Sequence, residues 1–220
     1  MQSNSKPRWL RITEIFFSIQ GESTYAGRPC IFIRTTGCNL RCSWCDTEYS
    51  FYGGEKLSVA QIMERIRLWP CKLVEITGGE PLLQKHLPDL IHALYDEEYE
   101  IMLETGGHMD LSMIDPRVKK IIDVKCPGSG EAARMHFANL ENVSPHDEVK
   151  FVIADRDDYE YAADVIKKYK LEKQTTVLIS PVFEMPEYKN VVKWLLEDGI
   201  QARLQLQLHK FIWHPAQKGV

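Results

Sequence analysis

No run of apolar residues in this 220-residue chain approaches the ~20 that a membrane-spanning helix needs, which excludes a helical membrane protein. Basic residues are not in excess either. The 27 Lys and Arg stand against 31 Asp and Glu, a net charge of -4, so the chain is not expected to hold DNA or RNA through a general basic surface. Met1-Gln2-Ser3-Asn4-Ser5-Lys6-Pro7 lacks the apolar segment of a signal peptide, and the expectation is a cytoplasmic protein. There is no internal repeat, no low-complexity run and no linker rich in Gly, Ser or Pro, so a single domain over residues 1–220 is expected. What the chain does have is ordinary for a globular protein, 44% hydrophobic and 26% charged, apart from its six cysteines: Cys30, Cys38, Cys42, Cys45, Cys71 and Cys126. Disulfides are rare in a reducing compartment, so a cysteine cluster there points to metal or to catalysis.

Apolar runs alternate with helical patterns along most of the chain. Strands are expected at Ile31 to Thr36, Leu73 to Thr77, Ile101 to Thr105, Ile121 to Lys125, Val149 to Ile153, Thr176 to Ser180 and Ala202 to Leu206. Between them, Val59, Ile62, Met63, Ile66 and Trp69 fall on one helical face, opened by a capping box of Ser58 and Gln61. Leu87, Leu90, Ile91 and Leu94 form a second stripe, Ala162, Val165, Ile166 and Tyr169 a third, and Tyr188, Val191, Val192 and Leu195 a fourth that begins after Pro186. Repeated βα units imply a parallel sheet carrying helices, either doubly wound or curled as a barrel. A complete barrel takes about 250 residues, so a partial (β/α)6-type TIM barrel with an irregular or hairpin-like N-terminal extension over residues 1–29 fits this length better.

Gly37-Cys38-Asn39-Leu40-Arg41-Cys42-Ser43-Trp44-Cys45-Asp46-Thr47 follows the first strong strand and belongs on the loop at its C-terminal end, where α/β proteins place their chemistry. Three thiols at spacings of four and three residues can converge on zinc or on an iron–sulfur cluster. A fourth local ligand is missing. On spacing alone, zinc closed by a distant His86, His108 or His209 stays open.

Cys38-x3-Cys42-x2-Cys45, with Trp44 before the last cysteine, resembles the signature of the radical S-adenosylmethionine (SAM) superfamily, and Thr77-Gly78-Gly79-Glu80-Pro81 is similar to its GGEP motif. That resemblance implies a radical SAM core with a [4Fe–4S] cluster on the three cysteines. Its open iron would chelate SAM, whose reductive cleavage yields a 5′-deoxyadenosyl radical. Further segments narrow the likeness: Phe16 to Ser23, Gly27 to Arg34, Cys45-Asp46-Thr47, Glu104-Thr105-Gly106-Gly107, Asp123 to Glu131 and Leu206-Gln207-Leu208-His209-Lys210 together resemble the 7-carboxy-7-deazaguanine synthase family. Members convert 6-carboxy-5,6,7,8-tetrahydropterin to 7-carboxy-7-deazaguanine with loss of ammonia, towards queuosine and related deazapurines. A glycyl-radical activating enzyme, which shares the early motifs, and a zinc-binding interaction module are the alternatives.

The resemblance implies the site residues as well. Arg34 would hold the substrate carboxylate, with a planar fork suited to it. Ile19, Gln20, Gly21 and Glu22 would read the pterin's donor and acceptor edge. Thr77, His209 and the terminal carboxylate of Val220 would complete the substrate pocket. Trp44, Asp46, Gly79, Lys125 and Ser180 would contact SAM, and Thr47 would help bind Mg²⁺, otherwise held by substrate oxygens and water. The same resemblance implies a homodimer and a reductant such as flavodoxin or ferredoxin. No protein acid or base is assigned, and Cys30, Cys71 and Cys126 are expected to be packing residues.

Overall fold

The computed structural model describes residues 8–220, so Met1–Pro7, and with them the signal-peptide reading and the start of the extension, lie outside the described residues. Nine strands form one sheet in the order β3-β1-β2-β4-β5-β6-β7-β8-β9. They are β1 (Trp9–Ile19), β2 (Pro29–Thr35), β3 (Glu55–Ser58), β4 (Leu73–Gly78), β5 (Glu100–Thr105), β6 (Lys119–Lys125), β7 (Glu148–Ile153), β8 (Thr176–Pro181) and β9 (Arg203–Leu204). β2 and the strands from β4 to β9 run parallel, while β1 is antiparallel to both β2 and β3. The sheet does not close.

Strand alternation sorts the side chains onto two faces. Ile31 and Ile33, Val74 and Ile76, Ile101 and Leu103, Ile122 and Val124, Val149 and Phe151, and Val177 and Ile179 enter one large core. The helices α1 (Val59–Ile66), α2 (Leu87–Asp96), α3 (Arg156–Tyr169) and α4 (Tyr188–Asp198) bury their stripes in that same core. Helices therefore cover one face only, as in a barrel rather than a doubly wound sheet. On the inner face a small apolar base, Cys30, Phe32, Leu73, Met102 and Ile121, underlies a polar upper layer formed by residues such as Glu75, Thr77, Glu104, Asp123 and Lys150.

The start of α1 is as expected, with Ser58 and Gln61 forming its capping box; Asp155 caps α3 through the Asp158 amide. Of the two forms expected for the N-terminal extension, irregular or hairpin-like, the chain takes the hairpin: an eleven-residue strand paired antiparallel with β2. Three expectations need correction. Trp69 lies beyond α1, since the residue before Pro70 is disfavoured in the helical region, though it still packs on the core. Val192 faces out, 38% exposed, and the buried stripe of α4 is Val191 and Leu195. The last strand shrinks from Ala202–Leu206 to two residues, as Gln205 turns its side-chain amide onto the Leu206 carbonyl.

Candidate active site

The C-terminal ends of the parallel strands open into a cavity of about 610 Å³, within the range of small-molecule sites. Cys38, Cys42 and Cys45 all line it, on the loop after β2. All six cysteines are free, and Cys30 and Cys126 are fully buried among apolar side chains, with burial pushing both thiols far up. The Leu40 amide donates to Cys38 Sγ at 3.4 Å, a contact that favours the thiolate. Burial raises the Cys38 thiol and pushes that of Cys42 up to about 11, so holding a metal would require each to give up its proton. Among the described residues no three His, Cys, Asp or Glu side chains close on a single ion. Of the histidines open to a zinc reading, His86 pairs with Asp89, His108 with Asn39, and His209 stands over Gly21. Three thiols facing one cavity, without a fourth ligand, fit a cluster with an open iron better than a closed zinc site.

The two glycines after Thr77 have a local cause. Gly78 has φ +134° and a Cβ there would meet the Thr35 carbonyl oxygen at 2.3 Å. At Gly79 it would meet the Gly37 carbonyl oxygen at 2.2 Å and Cys38 Cβ at 3.0 Å. Glycine is thus required for β4 to pass directly beneath the cysteine loop, to which it is pinned by the Glu80 amide donating to the Gly37 carbonyl at 2.8 Å. The Glu80 side chain is wholly buried and accepts from Thr105 Oγ1, the Gly106 amide and the Leu82 amide, so in this chain it ties β4 to β5.

Most residues expected at the site line this cavity: Ile19, Gln20, Gly21, Glu22, Arg34, Trp44, Asp46, Thr47, Thr77, Gly79, Lys125, His209 and Val220. Ser180 does not. It is 2% exposed on the inner face of β8, in register with Val152, which does line the cavity. Arg34 Nε donates to Glu14 Oε1 at 2.7 Å, and Tyr49 donates to the same oxygen at 2.7 Å. Among the described residues its terminal nitrogens have no partner. Gln20 is held at both ends, donating to Glu75 and accepting from the Glu22 amide at 3.0 Å. A Cβ on Gly21 would lie 2.1 Å from His209 Nδ1, so glycine lets the histidine close over that loop.

The C-terminal segment completes the mouth. The Leu208 amide donates to the Gly21 carbonyl at 2.9 Å, Lys210 pairs with Asp46 at 2.8 Å, and Gln207 reaches Glu22 Oε1 at 2.9 Å. Val220 is half-buried although the residues immediately before it are exposed. The sequence reading missed the polar floor of Glu75, Glu104, Asp123 and Lys150 and the stacked Phe16 and Phe32, with ring centroids 4.8 Å apart. Their signal was present as charged residues inside apolar strands, which are rarely buried without partners.

The Radical SAM superfamily model matches residues 32–195. A 7-carboxy-7-deazaguanine synthase of Koribacter versatilis is 46% identical over 96% of this chain and 100% of its own length, and one of Chlorobaculum tepidum is 41% identical over 96% and 97%. The chain belongs to the 7-carboxy-7-deazaguanine synthase family. The solved structure of QueE from Escherichia coli shares the fold, with a TM-score of 0.74 at 22% identity over 91% of this chain and 95% of that one. A family member of the radical SAM type uses a [4Fe–4S] cluster and SAM, and the three cavity-lining thiols are the residues able to hold that cluster.

Proposed function

We propose that this chain is a radical SAM lyase that converts 6-carboxy-5,6,7,8-tetrahydropterin to 7-carboxy-7-deazaguanine with release of ammonia, and that the cavity above the parallel strands is its site. The observation that carries the reading is the meeting of three thiols, a free guanidinium edge and a polar floor in one cavity of a chain so similar to the named synthases. When bound, the cluster and SAM supply the radical that abstracts hydrogen from the substrate. Cys38, Cys42 and Cys45 would hold the cluster; Trp44, Gly79 and Lys125, which line the same cavity, would contact SAM, and Asp46 enters the same wall through its pair with Lys210. Ser180, in register with the cavity-lining Val152, would join them in contacting SAM.

Arg34 is suited to the substrate carboxylate, because Glu14 and Tyr49 fix its Nε edge and leave the outer edge for a bidentate contact. Ile19, Gln20, Gly21 and Glu22 supply amide and carboxylate groups for the ring edge. Thr77, His209 and the Val220 carboxylate bound the remaining sides. Mg²⁺ fits at Thr47 only with substrate oxygens and water as its other ligands, since one hydroxyl is a weak site for a hard cation. A homodimer, a flavodoxin or ferredoxin reductant and a cytoplasmic location complete the proposal, with neither nucleic acid nor membrane as a partner; no described helix is long and apolar enough to cross a membrane. The activating-enzyme alternative is not favoured, because the synthase likeness spans nearly the whole chain.

Replacing Cys38, Cys42 and Cys45 together by Ala tests the assignment. The expected result is a colourless protein, free of iron and sulfide and without turnover. A colourless triple variant that still forms product would contradict it.

A further inference from the structure

Lys150 stands on the inner face of β7, at the floor of the cavity and 5% exposed. Its ammonium lies 2.9 Å from Glu22 Oε2 and 3.7 Å from Asp123 Oδ2, and it contacts Glu104 Oε1 directly. The three carboxylates come from the β1–β2 loop, β5 and β6. Two have their other oxygen held as well: Gln207 donates to Glu22 Oε1 at 2.9 Å, and Thr77 donates to Glu104 Oε2 at 3.1 Å. An ammonium engaged in this way is neither a free base nor a free donor for chemistry. Asp123 has a nearer cation in Lys125, whose ammonium lies 2.8 Å from the same Oδ2, but Glu22 and Glu104 share Lys150, and without it their mutual repulsion would spread the floor.

We propose that Lys150 is the positioning residue of the substrate site: a buried cation that fixes the Glu22 and Glu104 carboxylates at the spacing that meets the donor edge of the pterin ring. The proposal deepens the reading of the cavity as a pterin site and rests on it. Burial works to raise the Glu104 carboxyl, yet Lys150 and the Thr77 hydroxyl hold it below its ordinary range. Burial likewise works to lower the Lys150 ammonium, and Glu104, Glu22 and Asp123 hold it well above its ordinary value. The other titratable groups that face this cluster are Glu75 on β4, Lys125 on β6, and Asp46 and His209 across the mouth. Of these, Lys125 donates to Asp123 Oδ2 at 2.8 Å, whereas Glu22 Oε2 and Glu104 Oε1 are held by Lys150.

The test uses the anaerobically reconstituted enzyme, with 6-carboxytetrahydropterin as substrate and 7-carboxy-7-deazaguanine as equilibrium ligand. Lys150→Ala is expected to lose about 100-fold or more in kcat/KM, the scale of breaking a buried pair by removing one partner. The cluster's EPR signal and the affinity for SAM should not change. Ethylammonium, which replaces the missing end of the side chain, should recover about tenfold of that loss, because it returns the cation to the carboxylates. The acid limb of the kcat/KM profile should move up by about one pH unit or more, since carboxylates without their cation protonate more readily.

A kcat/KM within about threefold of wild type, or a loss with neither amine rescue nor a moved acid limb, would overturn the proposal and leave Lys150 as a strut. Should Lys150→Ala fail to fold, Lys150→Arg carries the test: the retained cation should leave the acid limb in place, and a limb that moves up would overturn the proposal. Failure of the wild-type chain to bind either pterin or product would overturn the site reading itself, and the proposal with it.

Discussion

At Gly79 a single methyl group decides whether two loops can touch. The added Cβ of Gly79→Ala would sit 2.2 Å from the Gly37 carbonyl oxygen, and backbone rather than a flexible side chain would have to yield. The variant is expected to reconstitute with less iron and a weaker brown chromophore than wild type while keeping its secondary structure; iron and sulfide analysis against circular dichroism checks this. Glu75 makes a different prediction. Burial, followed by the Glu104 charge, raises its carboxyl to about 8, although Gln20 donates to it and Lys150 lies near. In the unfolded chain the same group ionises in the ordinary carboxylate range, so the folded state binds a proton that the unfolded state has lost. Stability is then highest at or below the unfolded pKa and declines as pH rises through the interval up to about 8. Glu75→Gln, which keeps an oxygen for Gln20, should flatten that decline, with the Tm gap between variant and wild type widening in its favour from about pH 5 to about pH 8. Parallel melting curves would contradict this.

The elements carry what was legible in the chain itself. The cysteine loop, the glycines after Thr77 and the helix stripes could be read because each follows a local rule: ligand spacing, close backbone approach, or a period of 3.6. The capping box at Ser58 is a case where the rule and the geometry agree, and Ser58→Ala should cost about 1 kcal/mol in chemical denaturation without affecting the site. What local rules could not supply was which charged strand residues meet. Glu75, Glu104, Asp123 and Lys150 sit in four separate strands, and only the parallel register brings them onto one floor. β1 was similarly obscured, because its antiparallel partner lies across the Gln20–Arg28 loop and its pattern breaks at the register shift between Ile12 and Glu14. The C-terminal segment was readable as a motif but not as a wall. Its placement leads to a prediction: extending the chain beyond Val220 by a Gly-Ser pair should displace this half-buried residue and raise KM for the pterin while leaving SAM affinity unchanged. An unaltered KM would remove Val220 from the site.

Across the whole molecule, an open sheet with helices on one face leaves an inner surface that is apolar at its base and charged at the strand tips. That division lets 220 residues both bury a core and present a lined cavity, with the antiparallel β1 hairpin and the C-terminal segment meeting over the mouth through Gly21 and Leu208. The chain's small negative net charge sets no limit on binding a carboxylated substrate, because one oriented arginine over a locally neutralised floor suffices. Whether this cavity performs the synthase reaction is answered most directly by anaerobic incubation of the reconstituted chain with SAM, a reductant and 6-carboxytetrahydropterin, followed by mass spectrometry. The expected products are 7-carboxy-7-deazaguanine and ammonia in equal amounts, with SAM regenerated and not consumed. An intact cluster that forms no deazapurine, or that releases one 5′-deoxyadenosine for each turnover, would contradict the synthase reading.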